Sequence, residues 1–207
     1  MTSSFDQMSA VEVMRVRKSV RKYKKGHVMP KEDLENILNL TITAPSSWNL
    51  QHWKFIVIEK EEDKNRLLPI AFNQEQVVDS SLTIVVLGDL QANENAEIVY
   101  GEAVEKGFMS EEAKNKLIAQ INGEYGRIPN FDFFEAIRNG SLAAMQLMLA
   151  AKALGYDTVP MGGFDPEKLI EEFNVPERYV PVMLISVGKA ATPAHQTPRF
   201  SVKDVIL

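Results

Sequence analysis

The stretch NGSLAAMQLMLAAKALGYDTVPMGGFD, residues 139–165, holds the change of period that decides the fold. An apolar helical run gives way at Gly155 to a short strand ending near Pro160, and the strand runs straight into a turn with two adjacent glycines. Extended backwards, the helix covers about 131–154 and is almost wholly apolar. A helix apolar all round must be covered all round. A chain of 207 residues has few elements to do that alone, which makes a dimer interface a natural cover.

Working outward, WKFIVIE (53–59), LTIVVLGD (82–89) and RYVPVMLISVG (178–188) are apolar, β-branched and aromatic runs that predict strands. Helices are predicted over about 8–17, after Pro30 (with Leu34, Ile37, Leu38 and Ile42 at helical spacing), over the acid-led EEDKNRLLPIA (61–71) and over 166–173. Residues 91–126 are polar, helical in two pieces, and compatible with a lid or an insertion. The tail 190–207 is polar with an apolar end, as an arm packed on something would be, a second subunit included. Helices and strands mix without regular βαβ alternation, so the class is α+β, in one domain over 1–207.

Composition narrows the function. The chain is 45% hydrophobic and 25% charged, as ordinary globular proteins are. It has no cysteine, which removes disulfide frameworks, thiolate metal sites and cysteine nucleophiles, and fits a cytoplasmic location. The N-terminus MTSSFDQMSA lacks a basic region followed by an apolar one, so no signal peptide is expected. The longest apolar run, 142–154, contains a lysine and falls short of the ~20 residues of a membrane span, so no membrane partner is expected. His27, His52 and His195 are far apart and show no metal-ligand pattern; GxSxG, HExxH and Walker motifs are absent.

Four pieces have side chains or backbone suited to chemistry. RKSVRKYKK (17–25), preceded by Arg15, concentrates basic groups in a chain of formal net charge -5. Such a run serves as a solvated face, a nucleic-acid arm or an anion site. Nucleic-acid binding asks for a wider basic surface than this chain offers, so no nucleic-acid partner is expected. Arg17, Ser19 and Arg21 alternate, so an extended segment points them one way, able to clasp one phosphate by charge-assisted hydrogen bonds. APSSWNLQHW (44–53) sets Pro45, Ser46, Ser47, Asn49 and Gln51 before a strand, as a binding loop or a plain polar connection. In VPMGGFD (159–165), two glycines let backbone approach a flat ligand, or simply make a turn. SVGKAATPAHQTPRF (186–200) offers Lys189 and Arg199, as ligands or as surface decoration.

In this order and spacing the pieces resemble the FMN-dependent nitroreductase family over nearly the whole chain. RKSVRKY resembles the family's Arg-x-Ser-x-Arg/Lys segment, and APSSWNLQHWKFIVI its Pro-Ser-Ser-x-Asn-x-Gln-Pro-Trp loop and strand. FNQEQVVDSSLTIVV (72–86) is similar to its flavin-contacting helix and second strand, and 139–165 to its core helix and flavin-covering turn. The resemblance implies a mostly antiparallel sheet flanked by helices, in an intertwined homodimer with two FMN sites at the interface. It implies that Arg17 and Ser19, with Lys18 contributing, hold the FMN phosphate, joined by Arg199 or, less directly, Lys189. It places Arg21 near the pyrimidine edge, where a cation stabilises the negative charge of the reduced ring. Pro45, Ser46, Ser47, Asn49 and Gln51 are expected from the partner subunit. Asn73 and Gln76 are expected at the pyrimidine or ribityl part, the N–H groups of Gly162 and Gly163 at N5 and O4, and Pro160 and Met161 against the ring.

The sequence departs from the pattern in three places. Lys18 stands where arginine or histidine is common, Gln76 where some members have lysine, and His52 where proline usually precedes the tryptophan. Region 91–126 varies within the family and shapes substrate access. The implied activity is hydride transfer from NADPH or NADH to FMN and then, ping-pong, to a small-molecule electron acceptor such as a nitroaromatic or quinone. Flavin reductase, dehalogenase or dehydrogenase chemistry on the same scaffold, and a non-catalytic flavin-binding or redox-sensing dimer, are the alternatives.

Overall fold

The computed structural model describes residues 8–207; the expectation that MTSSFDQ begins no signal peptide lies outside the described residues. Helix α1 (Ala10–Val16) is shorter than its apolar pattern because Ser9 caps it, accepting from the Glu12 N–H while the Glu12 carboxylate accepts from the Ser9 N–H. Helix α2 (Lys31–Thr41) starts directly after Pro30, and a 3-10 turn at Ser47–Asn49 precedes β1 (Trp53–Ile58). Then follow α3 (Glu61–Ile70), the single turn α4 (Gln76–Asp79), β2 (Leu82–Asp89), α5 (Ala96–Glu105) and α6 (Glu111–Arg127). The chain is completed by α7 (Phe131–Ala153), β3 (Asp157–Met161), α8 (Pro166–Glu172), β4 (Tyr179–Gly188) and an exposed tail with a 3-10 turn at Val202–Asp204.

The four strands form one sheet in the order β1-β2-β4-β3, with every neighbouring pair antiparallel. β2 is buried along its whole length, which explains its unbroken apolar run. On one face of the sheet, Leu82, Ile84, Val86, Ile185 and Val187 pack against Ala144, Leu147 and Ala151 of α7 and Ile37 of α2. On the other, Val85, Leu87, Val159, Met161 and Leu184 meet Leu67 and Ile70 of α3, Val77 of α4 and Leu169 of α8. Glycine sets the approach of α7: a Cβ at Gly88 would lie 2.8 Å from the Ala136 carbonyl oxygen. A satellite cluster of Leu50, Ala92, Ala96, Tyr100 and Ile121 joins α5 and α6 to the loop before β1.

Within one chain α7 is covered on one side only. Phe133, Phe134, Leu142 and Met145 are exposed, as are Val11 and Met14 of α1, Leu40 at the end of α2 and Ile42 just beyond it. An apolar groove lined by Met14, Leu40, Leu149 and Ala153 connects these three helices. Among the described residues, no helix is long and apolar enough to cross a membrane.

Candidate functional site

Two groups of sequence-predicted residues assemble at opposite edges of the sheet. The first surrounds β3. Residues 17–20 run beside that strand: Ser19 pairs with Thr158 in a parallel bridge, and the Val20 N–H donates to the Thr158 carbonyl at 3.0 Å. Val20 is buried in the core, so alternation turns Arg17, Ser19 and Arg21 the other way; Arg17 and Ser19 are half-buried and Arg21 is exposed. The Arg17 Nη1 is buried without a hydrogen-bond partner among the described residues, and so is the Thr158 Oγ1 on the adjoining strand. Buried polar groups are rarely left so, and an orphaned guanidinium nitrogen points to an anion.

β3 then runs into Gly162 and Gly163. A Cβ built on Gly162 would meet nothing within 4 Å, so this backbone faces open space. No turn or loop hydrogen bond among the described residues uses the N–H of either glycine. The turn is braced from residues 72–76: the Gln74 Nε2 donates to the Gly163 carbonyl at 2.8 Å, and the Gln76 Nε2 donates to the Gln74 Oε1 at 3.0 Å and lies 3.3 Å from the Met161 Sδ. Phe72 and Asn73 both have left-handed backbone, φ 53 and 57, and both side chains are exposed beside this turn. They follow Pro69 in the last turn of α3, where the helix cannot continue regularly.

Several expected site residues have partners or burial of their own. Met161 is buried in the core beneath the turn, and the Gln76 amide nitrogen is engaged with it and with Gln74, so both form the floor of this surface rather than its lining. The Lys189 ammonium donates to the Gly155 carbonyl at 2.6 Å and sits 3.6 Å from the Tyr156 ring centroid, held at the C-terminal end of α7. Burial lowers its pKa below the usual lysine range. Among the described residues Arg199 bonds only to its own neighbours Thr197 and Pro198 in the exposed tail, while Lys18 donates to Gln196 at 2.7 Å. Pro160 is half-buried in β3.

The second group is the loop 45–51 before β1. Pro45, Asn49 and Gln51 are exposed, while Ser46 and Ser47 are half-buried. The Ser46 Oγ accepts from the Gln51 N–H at 2.9 Å, and the Ser47 N–H donates to the Asn139 Oδ1 of α7 at 2.9 Å. β1 and β3 are the two edge strands, separated by β2 and β4, so about three strand spacings, roughly 14 Å, divide the groups. Within one chain the two groups therefore stand apart along the sheet. A cavity of about 480 Å³ borders this loop along the open edge of β1 and α2, lined by Leu38, Leu50, Gln51, Trp53, Phe55 and Ile98.

Sequence reading missed the residues that hold these pieces in place. Gln74 braces the glycine turn, Asn139 the loop, and Tyr100 of α5 donates to the Trp48 carbonyl at 2.6 Å. Each acts across a large sequence separation, so no local pattern marks it. The buried His52 places Nε2 3.1 Å from the Tyr125 hydroxyl of α6; burial pushes its pKa down to about 4, against the weaker upward pull of Glu135 and Asp89. Burial likewise raises the Tyr125 hydroxyl.

The sequence profile of the Nitroreductase family matches residues 14–189. YodC of Bacillus subtilis (strain 168), provisionally named an NAD(P)H nitroreductase, is 49% identical over 197 residues, covering 95% of this chain and 97% of its own. The CLA biosynthesis enone reductase of Lactiplantibacillus plantarum is 34% identical over 196 residues, covering 93% and 90% of the two chains. A crystal structure from Exiguobacterium sibiricum, provisionally named a nitroreductase and described as in complex with FMN, superposes with a TM-score of 0.90 at 40% identity, covering 96% of each chain.

Proposed function

The chain belongs to the nitroreductase family of oxidoreductases, and from that premise we propose that it works as an FMN-dependent homodimer that draws electrons from NAD(P)H. The observation that carries this reading is the orphaned Arg17 Nη1, beside Ser19 and at the same sheet edge as the bare Gly162 and Gly163 amides. Cation and hydroxyl at one end and free backbone donors at the other suit a ligand with a phosphate at one end and a flat, acceptor-rich ring at the other. The FMN complex of the Exiguobacterium structure supports the same choice.

When bound, FMN would supply the two-electron redox chemistry between NAD(P)H and an acceptor. The chain supplies position and electrostatics. Arg17 and Ser19 hold the phosphate; Arg21, exposed and on the same side, supplies positive charge near the pyrimidine edge. The Gly162 and Gly163 N–H groups would donate to the ring, and the bond from Gln74 to the Gly163 carbonyl braces the turn that carries them. Met161 and Gln76 lie buried beneath the turn and would back one face of a bound ring, and a ping-pong order, with donor and acceptor using one site in turn, is the kinetic form this reading takes. Loop 45–51 reaches a site from the partner copy, a reading that its place at the β1 edge, opposite the β3 edge beside Arg17, supports. Planar electron-poor compounds such as nitroaromatics, quinones or conjugated enones are the acceptor class.

The test is anaerobic. Purified dimer loaded with FMN should be yellow and should bleach on addition of NADPH or NADH, and a nitroaromatic or quinone should restore the colour. Retained colour with both donors would overturn the donor half of the proposal. A colourless protein that takes up no FMN would overturn all of it.

A further inference from the structure

Loop 45–51 is held in a backbone conformation that its own residues disfavour. Trp48, Asn49 and Gln51 have φ of 52, 56 and 53, and none of them is glycine. Left-handed backbone at such residues persists where the surroundings over-determine it. Here the surroundings come from the variable region. The Tyr100 hydroxyl donates to the Trp48 carbonyl at 2.6 Å and the Asn95 Nδ2 to the Leu50 carbonyl at 2.9 Å, one on each side of Asn49.

Both donors are themselves fixed. Tyr100 is buried in the cluster with Leu50, Ala92, Ala96 and Ile121. The Asn95 Oδ1 accepts from the Arg178 Nη2 at 3.0 Å, and Arg178 grips the buried Asp89 carboxylate at the end of β2 through two bonds of 2.7 and 2.8 Å. A rigid path thus runs from the sheet through Asp89, Arg178 and Asn95 to the loop, with Tyr100 as a second anchor.

We propose that Tyr100 and Asn95 are positioning residues for the cofactor site of the partner subunit. They touch no flavin themselves; they hold Ser46, Ser47 and Asn49 in the shape that reaches across. The variable region therefore sets cofactor affinity in trans, besides whatever it does for substrate access. This rests on the reading of loop 45–51 as a flavin contact.

Apo-protein is titrated with FMN as wild type, Asn49→Ala and Tyr100→Phe. Tyr100→Phe should weaken binding about tenfold, the worth of one hydrogen bond whose acceptor is left unpaired. Weakening by Asn49→Ala but not by Tyr100→Phe sinks the positioning proposal alone. No weakening by Asn49→Ala sinks the loop's role beneath it. A mixed dimer, one protomer Tyr100→Phe and the other Arg17→Ala, separates positioning in trans from general loosening. If Tyr100 acts in trans, both lesions fall in one site and half the sites keep wild-type affinity. If it acts within its own subunit, or merely loosens the fold, no site does, and the proposal is overturned.

Discussion

A guanidinium nitrogen buried without a partner is unfavourable, and Arg17 Nη1 is kept in that state by the pairing of its segment with β3. Such an atom loses little when deleted from the apo-protein and much when deleted from a complex that uses it. Arg17→Ala should therefore leave the urea midpoint of the apo-protein almost unmoved. FMN affinity should fall about 10–150-fold, the ~1.5–3 kcal/mol of a hydrogen bond to a charged group. Titration of the two apo-proteins by flavin fluorescence checks this, and equal affinities would remove Arg17 from the site. The alternation of Arg17, Ser19 and Arg21 was legible because it is local; so was the glycine pair. The inward turn of Gln76 and Met161 and the capture of Lys189 by Gly155 and Tyr156 were not. Those depend on which face of a neighbouring element a side chain meets, and spacing along the chain does not encode that.

At the scale of elements, the strands and helices lie within a residue or two of their apolar patterns, because each pattern reports burial on one side of a single element. The strand order, with β4 inserted between β2 and β3, and the left-handed residues before β1 depend on distant partners and left no periodic trace. His52 joins three elements. It precedes β1, touches Tyr125 of α6 and lies near Glu135 of α7. Its folded pKa of about 4 lies below the unfolded value of 6.5, so between these values the unfolded chain binds the proton that the folded chain resists. This term is fully stabilising above pH 6.5 and is lost as pH falls toward 4. From pH 7 to pH 5 it should remove about 2 kcal/mol. Urea unfolding of wild type and His52→Gln at the two pH values tests the sign: the variant should lose less stability on acidification. Equal losses would show that His52 is not held neutral by burial.

For the whole molecule, the single chain is unfinished in three ways that one partner copy would complete. The exposed residues of α7, α1 and α2 gather apolar side chains on one face, as an interaction surface does. The two groups of candidate residues sit at opposite sheet edges. The tail carries Phe200, Val202, Val205, Ile206 and Leu207, all exposed, while the outer edge of β1 opens on an apolar groove of about 480 Å³. An unpaired edge beside an apolar groove suits an extended segment with apolar side chains, adding backbone bonds and burial together. Each large tail residue contributes about 1.5–3 kcal/mol when fully buried, more than enough to decide an assembly. Deleting residues 199–207 removes these side chains together with Arg199 and leaves the packed core intact. The shortened protein should keep its helical and strand content by circular dichroism. It should sediment as a monomer at micromolar concentration where the full chain is expected as a dimer, and bind FMN at least as weakly as Arg17→Ala does. A truncated chain that remains dimeric and yellow would place the tail outside both the interface and the site.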